Sequence, residues 1–272
     1  MHKTLYITDL DGTLLNSDKQ ISRFTASTLS ALIDAGMLFS YATARSNATS
    51  SKLTGGICAK MPVVIYNGAF ILDNASGRML LANYFQPEDF NHIFELLLEY
   101  EVYPIIYSHN NETERFSYLF SKVNAGTREF LDMRRGDARN NPVSSIDDLR
   151  DGMPFYITCI DEAEKLYPIY KALNLSFSRV YHKDIYTKRQ WLEIMPPSVN
   201  KASAVLKLKE LLGCGRIVSF GDGINDIPMF KISDERYAVK NAAAELKAIA
   251  TDIIDSNDCD GVAKWLLRNT GL

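Results

Sequence analysis

Five residues near the amino terminus, Thr4 to Thr8 (TLYIT), form a run of β-branched, aromatic and aliphatic side chains that passes directly into Asp9-Leu10-Asp11-Gly12-Thr13. Such a run between polar flanks predicts a strand buried on both faces, the kind found inside a parallel sheet. Ile21, Thr25, Leu29, Leu32 and Ile33 then recur at helical spacing, with Ser22 placed to cap the start and Gly36 suited to the left-handed position past the end. A second apolar run, 37–42, ends in Thr43-Ala44-Arg45, and a third, 63–66, ends in Asn67-Gly68. Strand, helix, strand, helix, strand is the pattern of a parallel α/β sheet.

The middle of the chain reads differently. From about Leu80 to Lys188 strand-like runs follow one another more closely, at 102–107, 155–160 and 179–186. Helical stretches at 87–100 and 162–173 lie between them, and the polar stretch 134–141 reads as an exposed loop. The alternating pattern returns with a Lys-rich helix from Lys201 to Leu212, a strand from Arg216 to Phe220, and GDGINDIPM at 221–229. The expected organisation is a Rossmann-like α/β core made of 1–80 and 189–272, interrupted by an α+β insertion at 81–188.

In an open parallel sheet, ligands bind beyond the carboxyl ends of the strands. Those ends carry DLDGT (9–13), TAR (43–45), NG (67–68) and GDGIND (221–226), so Asp9, Asp11, Asp222 and Asp226 are expected on one edge. Carboxylates gathered there raise one another's pKa unless a cation offsets them. With oxygen donors only, and no histidine or cysteine beside the motifs, the natural cation is Mg²⁺, which shares its coordination with substrate phosphate. A calcium loop starting at Asp9 fails, because its fifth, sixth and twelfth positions would be Thr13, Leu14 and Gln20 rather than a ligand, glycine and glutamate. Each motif alone has an ordinary structural reading: Asp-Gly is a turn pair, and Arg45 or Lys201 alone would be solvated surface. Their ordered joint presence at strand ends and a helix start points to chemistry.

Composition narrows the field. A hydrophobic share of 46% with 23% charged residues suits an ordinary globular chain of 272 residues, and a net charge of −3 gives no basic excess to attract nucleic acid or an anionic membrane. Neither partner is expected. Cys58, Cys159, Cys214 and Cys259 are too scattered for a disulfide framework or a zinc knuckle, and read as isolated buried thiols. His2, His92, His109 and His182 show no metal-ligand spacing, and no P-loop, dinucleotide fingerprint or nucleophile elbow occurs. No stretch reaches the length of a membrane span and no leader-like apolar segment precedes Asp9, so a cytoplasmic location is expected.

With DLDGT, ATAR (42–45), Lys201 in SVNKASAVLKL and GDGINDIPM in place, the sequence resembles the haloacid dehalogenase superfamily of phosphohydrolases, and within it the Cof-type sugar phosphatases. YNGA (66–69), WLEIMP (191–196), KNA (240–242) and DCDGVAKWL (258–266) support the resemblance. It implies Asp9 as a nucleophile that becomes a phosphoaspartate and Asp11 as the acid and then base for the leaving alcohol and attacking water. It implies Mg²⁺ held by the carboxylate of Asp9, the backbone carbonyl of Asp11 and the carboxylate of Asp222, with Asp226 supporting that shell. Thr43, Lys201 and Asn225 would contact the phosphoryl group, and the backbone N–H groups of Leu10 and Ala44 would complete the cradle. Two positions depart from the family, which usually carries glycine at Ala44 and Ala202; neither change removes a functional group.

The resemblance further implies that the insertion is a cap that selects the leaving group, with Tyr103, Tyr107, His109, Tyr156, Tyr181, His182 and Tyr186 as candidate sugar contacts or cap core. The expected activity is hydrolysis of a small-molecule phosphate ester, most readily a sugar phosphate, by a monomer or weak homodimer. A phosphosugar mutase using the same phosphoaspartate, or a non-catalytic phosphosugar sensor, are the alternatives.

Overall fold

The computed structural model describes residues 3–55, 57, 60–110, 113–184, 187–197 and 199–271. His2, Cys58 and Tyr186 lie outside them.

Along the chain, β1 (Thr4–Thr8) leads into α1 (Arg23–Asp34), β2 (Leu38–Tyr41), α2 (Asn47–Thr54), β3 (Pro62–Ile65), β4 (Phe70–Asp73) and β5 (Met79–Ala82). The central stretch contains α3 (Pro87–Glu99), β6 (Ile105–Asn110), β7 (Thr113–Leu119), α4 (Ala125–Asp132), β8 (Asn140–Val143), β9 (Met153–Ile160), α5 (Ala163–Ala172), β10 (Phe177–Lys183) and β11 (Gln190–Pro197). The chain then forms α6 (Lys201–Leu211), β12 (Arg216–Gly221), α7 (Ile227–Ile232), β13 (Glu235–Val239), α8 (Ala244–Lys247), β14 (Asp252–Ile254) and α9 (Gly261–Asn269). These elements fall into two compact units, Met1–Ala82 with Asn200–Leu272, and Asn83–Val199.

The first unit is built on a parallel sheet in the order β14-β13-β12-β1-β2. Leu5 and Ile7 on β1, Phe39 and Tyr41 on β2, and Ile217 and Phe220 on β12 have no solvent exposure. Ser22 caps α1 by accepting the Thr25 N–H (3.0 Å), and Thr25, Thr28, Leu29 and Leu32 form its buried stripe. The third apolar run does not extend this ladder as a full strand: among the described residues Ala42 and Val64 form an isolated parallel bridge. Beyond it β3 runs antiparallel to β4, and β4 to β5. Periodicity identifies a strand, but which neighbour it pairs with depends on where the turn at 66–68 sends the chain.

The second unit holds a six-stranded sheet in the order β10-β11-β9-β6-β7-β8, antiparallel except for β7 with β8. One face is covered by α3 and α5, where Phe90, Ile93, Phe94, Leu97, Leu166 and Ile169 meet sheet residues including Ile157, Cys159 and Leu192. Two sequence expectations change here. β11 pairs with β9 and β10, so the chain up to Val199 belongs to this unit rather than to a core segment starting at 189. The polar stretch 134–141 ends in the edge strand β8, and Arg139, directly before that strand, bridges Glu114 (2.5 Å) and Asp137 (2.6 Å). Of the described cysteines only Cys159 is buried; Cys214 is half-buried and Cys259 exposed. Among the described residues no helix is long and apolar enough to cross a membrane.

Candidate active site

β1 delivers Asp9 beyond its carboxyl end, and the Asp9 N–H still donates to the Phe220 carbonyl of β12 (3.0 Å), so the nucleophile candidate is anchored by the sheet ladder. The chain then coils tightly through 10–14. Gly12 has φ +73°, and a Cβ there would lie 2.3 Å from Asp222 Oδ2. Only glycine satisfies both the left-handed backbone and this close approach.

Lys201 is the first residue of α6, whose start is fixed reciprocally by Asn200 and Ser203. The Asn200 side chain accepts the Ser203 N–H (3.0 Å), and Ser203 Oγ accepts the Asn200 N–H (3.2 Å). From that start the Lys201 ammonium, with no side-chain exposure, lies 2.7 Å from Asp9 Oδ1 and 2.7 Å from Asp226 Oδ1. Burial acts to lower the Lys201 pKa, but Asp226 and Asp9 outweigh it and raise the group above its ordinary value. Asp226, also unexposed, uses its other oxygen to accept the N–H groups of Asp222 and Gly223 (both 3.0 Å). Asp222 Oδ1 in turn accepts the Thr13 hydroxyl (2.9 Å).

Asp9, Asp222 and Asp226 can each offer one carboxylate oxygen such that all three lie within 4.8 Å of one another. Three carboxylates face one ammonium, and the imbalance shows in their proton affinities. Burial raises Asp9 well above the carboxylate range, Lys201 offsets part of this, and Asp226 and Asp222 add to the rise. Burial also pushes Asp222 up to about 7; Asp226 and Asp11 act in the same direction, while the Thr13 hydroxyl and Lys201 pull against it. A divalent cation bound by oxygen donors would remove this excess, so the residues present fit Mg²⁺.

Asp11 is arranged differently. Its two oxygens accept Nη2 and Nε of Arg45 at 2.5 and 2.6 Å, in a forked pair about a quarter exposed on each side. Its side chain lies outside the carboxylate cluster. Thr43, at the end of β2, is unexposed, and its Oγ accepts the Arg45 N–H (3.1 Å), which leaves its own hydrogen to donate. The Asn225 amide donates to Asn67 Oδ1 (3.2 Å).

Several contributors were not assigned from sequence. Arg45 reads as surface and is instead the partner of Asp11. Asn241 donates to the Gly12 carbonyl (2.7 Å) and accepts the Asn257 N–H (3.1 Å), while Asn257 donates to the Leu15 carbonyl (3.0 Å). KNA, through Asn241, and Asn257, the residue directly before DCDGVAKWL, thus buttress the turn after Asp9. The presence of both fragments in the resemblance was the available signal, without a role attached.

The sequence pattern of the haloacid dehalogenase-like hydrolases matches residues 6–266. The chain is similar to 5-amino-6-(5-phospho-D-ribitylamino)uracil phosphatase YwtE of Bacillus subtilis, at 29% identity over 95% of each chain. A second phosphatase of that description, YitU of the same organism, is 28% identical over 95% of this chain and 94% of its own. Among solved structures, a haloacid dehalogenase-like hydrolase from Bacteroides thetaiotaomicron superposes with a TM-score of 0.80 at 24% identity, covering 98% of this chain and 99% of its own. The subclass IIB sugar phosphatase BT4131 does so with 0.80 at 19%, covering 98% of both.

Proposed function

We propose, from the premise that this chain belongs to the haloacid dehalogenase-like hydrolase family and is a phosphoric monoester hydrolase, that it is a Mg²⁺-dependent phosphatase of small phosphorylated metabolites working through a phosphoaspartate at Asp9. The observation that carries this reading is the asymmetry of Asp9. Lys201 takes Oδ1, while Oδ2 has no hydrogen-bond partner among the described residues and remains to attack phosphorus.

Attack by Oδ2 forms the aspartyl phosphate and breaks the P–O bond to the alcohol, and Asp11 supplies the proton that the departing oxygen needs. In the pair described above Arg45 holds both Asp11 oxygens, so one arm of the fork must release when Asp11 carries that proton. Asp11 then takes a proton from water as the water attacks the aspartyl phosphate, which frees Asp9 and inorganic phosphate. Lys201, the Thr43 hydroxyl, the Asn225 amide and the N–H groups of Leu10 and Ala44 would hold the phosphoryl oxygens. Mg²⁺, held by the carboxylates of Asp9 and Asp222 and the Asp11 carbonyl with Asp226 behind them, would neutralise charge between an anionic nucleophile and an anionic ester.

The substrate reading is a sugar or polyol phosphate, with the residues of 83–199 choosing the leaving group. The names of the two Bacillus subtilis relatives point to ribityl phosphates as early members of a test panel. The experiment is phosphate release from phosphorylated metabolites and p-nitrophenyl phosphate, ranked by kcat/KM. Mg²⁺-requiring turnover that vanishes in Asp9→Asn is expected. Undiminished hydrolysis by Asp9→Asn would overturn the mechanism, and isomerised phosphosugar in place of free phosphate would overturn the hydrolase assignment.

A further inference from the structure

Tyr66 and Asn67 both adopt left-handed backbone, at φ +51° and +52°. A left-handed tyrosine is an uncommon conformation, and two consecutive non-glycine residues held so must be over-determined by their surroundings. Those surroundings are the loops of the candidate site. The Tyr66 N–H donates to the Arg45 carbonyl (3.0 Å) and the Asn67 N–H to the Thr43 carbonyl (2.9 Å), gripping the backbone on either side of Ala44. The Asn67 side chain, in a residue only 2% exposed, accepts the Asn225 amide. Gly68 follows at φ +103°, where a Cβ would lie 2.3 Å from the Asn200 carbonyl, directly before Lys201. One tripeptide therefore touches all three segments that carry Thr43, Asn225 and Lys201. Extended backbone at 66 and 67 could not aim successive N–H groups at the carbonyls of 43 and 45.

We infer that Asn67 is a positioning residue for phosphoryl transfer: its left-handed backbone sets the Thr43-Ala44-Arg45 loop, and its amide oxygen orients the Asn225 amide toward the phosphoryl group. This rests on the phosphate-cradle reading of Thr43 and Asn225 given above. Asn67 is not assigned any contact with substrate.

A double-mutant cycle on p-nitrophenyl phosphate hydrolysis tests it. Asn67→Gly keeps the backbone conformation and deletes only the amide, and Asn67→Ala provides a second background should the glycine variant fail to fold. Asn225→Ala is expected to lower kcat/KM by about tenfold or more in the otherwise unaltered protein, but by less than about twofold once Asn67 has lost its amide. In Asn67→Asp, which tolerates the same backbone and retains the acceptor, Asn225→Ala should keep its full cost. If Asn225→Ala costs the same factor whether or not the Asn67 amide is present, the inference is overturned, and the phosphatase reading stands. A phosphatase reading that is itself wrong shows separately, as absence of turnover in the unaltered protein.

Discussion

The two aspartates that flank Leu10 sit in opposite surroundings. Asp9 is 5% exposed and belongs to a closed arrangement with Lys201, Asp226 and Asp222, in which an unexposed ammonium is shared by two carboxylates. Asp11, two residues on, is partly open and paired with the partly open Arg45. The contrast matches two kinds of work. A nucleophile has to be fixed in place and offset by charge before substrate arrives, which suits a buried cluster that holds one oxygen and leaves the other open. A group that gives and takes a proton has to exchange partners during turnover, which suits a pair that can open toward water. Breaking the buried side should therefore cost both stability and activity, and breaking the open side activity alone.

The largest combined effect on stability and activity is expected from Lys201→Met. It leaves Asp9 and Asp226 buried without their cation, so urea unfolding should show a loss of about 3–5 kcal/mol, and phosphate release should fall to about 1% or less. If stability is unchanged, the buried cluster is not charge-coupled as described. Asp11→Asn should lower kcat for alkyl phosphates by about 10²–10⁴ while altering stability by less than about 1 kcal/mol. The loss should shrink for p-nitrophenyl phosphate, whose leaving group needs little protonation; an equal loss for both esters would take the proton-transfer role from Asp11.

Acidity distinguishes the two sides at an intermediate scale. Asp222 has a native pKa of about 7 against an ordinary 3.8. Without metal the folded protein thus binds this proton more tightly than the unfolded chain does. The associated stability is fully present below the unfolded value and is lost as pH rises through about 7. Thermal midpoints of the metal-free protein should fall across that window, and added Mg²⁺ should restore more at pH 8 than at pH 6, because at the lower pH it competes with the Asp222 proton. A Mg²⁺ effect that is flat with pH would contradict this. The smallest effect belongs to Arg45→Gln: kcat on alkyl phosphates should drop by about tenfold, with stability held within about 1 kcal/mol.

What could be read from sequence differs between the two units for a physical reason. Asp9, Thr43, Lys201 and Asp222 lie at strand ends or a helix start, where local pattern marks both the element and its terminus, so their place is legible in the sequence. Arg45 and Asn67 are placed by the same pattern, in TAR and NG, but what they do is not legible there, because it depends on a partner 34 residues away for Arg45 and 158 away for Asn67 that leaves no local trace. In the second unit the functional question turns on which sheet face a side chain occupies. Tyr103 and Tyr181 pack against the core under α3 and α5, whereas Tyr107 and Tyr156 stand apart from it and meet edge-on at 5.8 Å. Tyr107, Tyr156 and Tyr181 look equivalent in the sequence, and pairing separates them: Tyr107 lies opposite Tyr156 between β6 and β9, and Tyr181 opposite Leu192 between β10 and β11. The apolar run of β11 is compatible with either sheet, and its pairing with β9 and β10 puts it in the second unit.

In the proposed mechanism Asp9, held at one oxygen by Lys201, accepts the phosphoryl group through the other. Rapid acid quench during turnover, followed by proteolysis and mass spectrometry, tests it most directly. A phosphoryl adduct on the peptide containing Asp9, formed at the rate of alcohol release and missing from Asp9→Asn, is the predicted result. Turnover with no adduct at Asp9, or with the adduct on another residue, would contradict it.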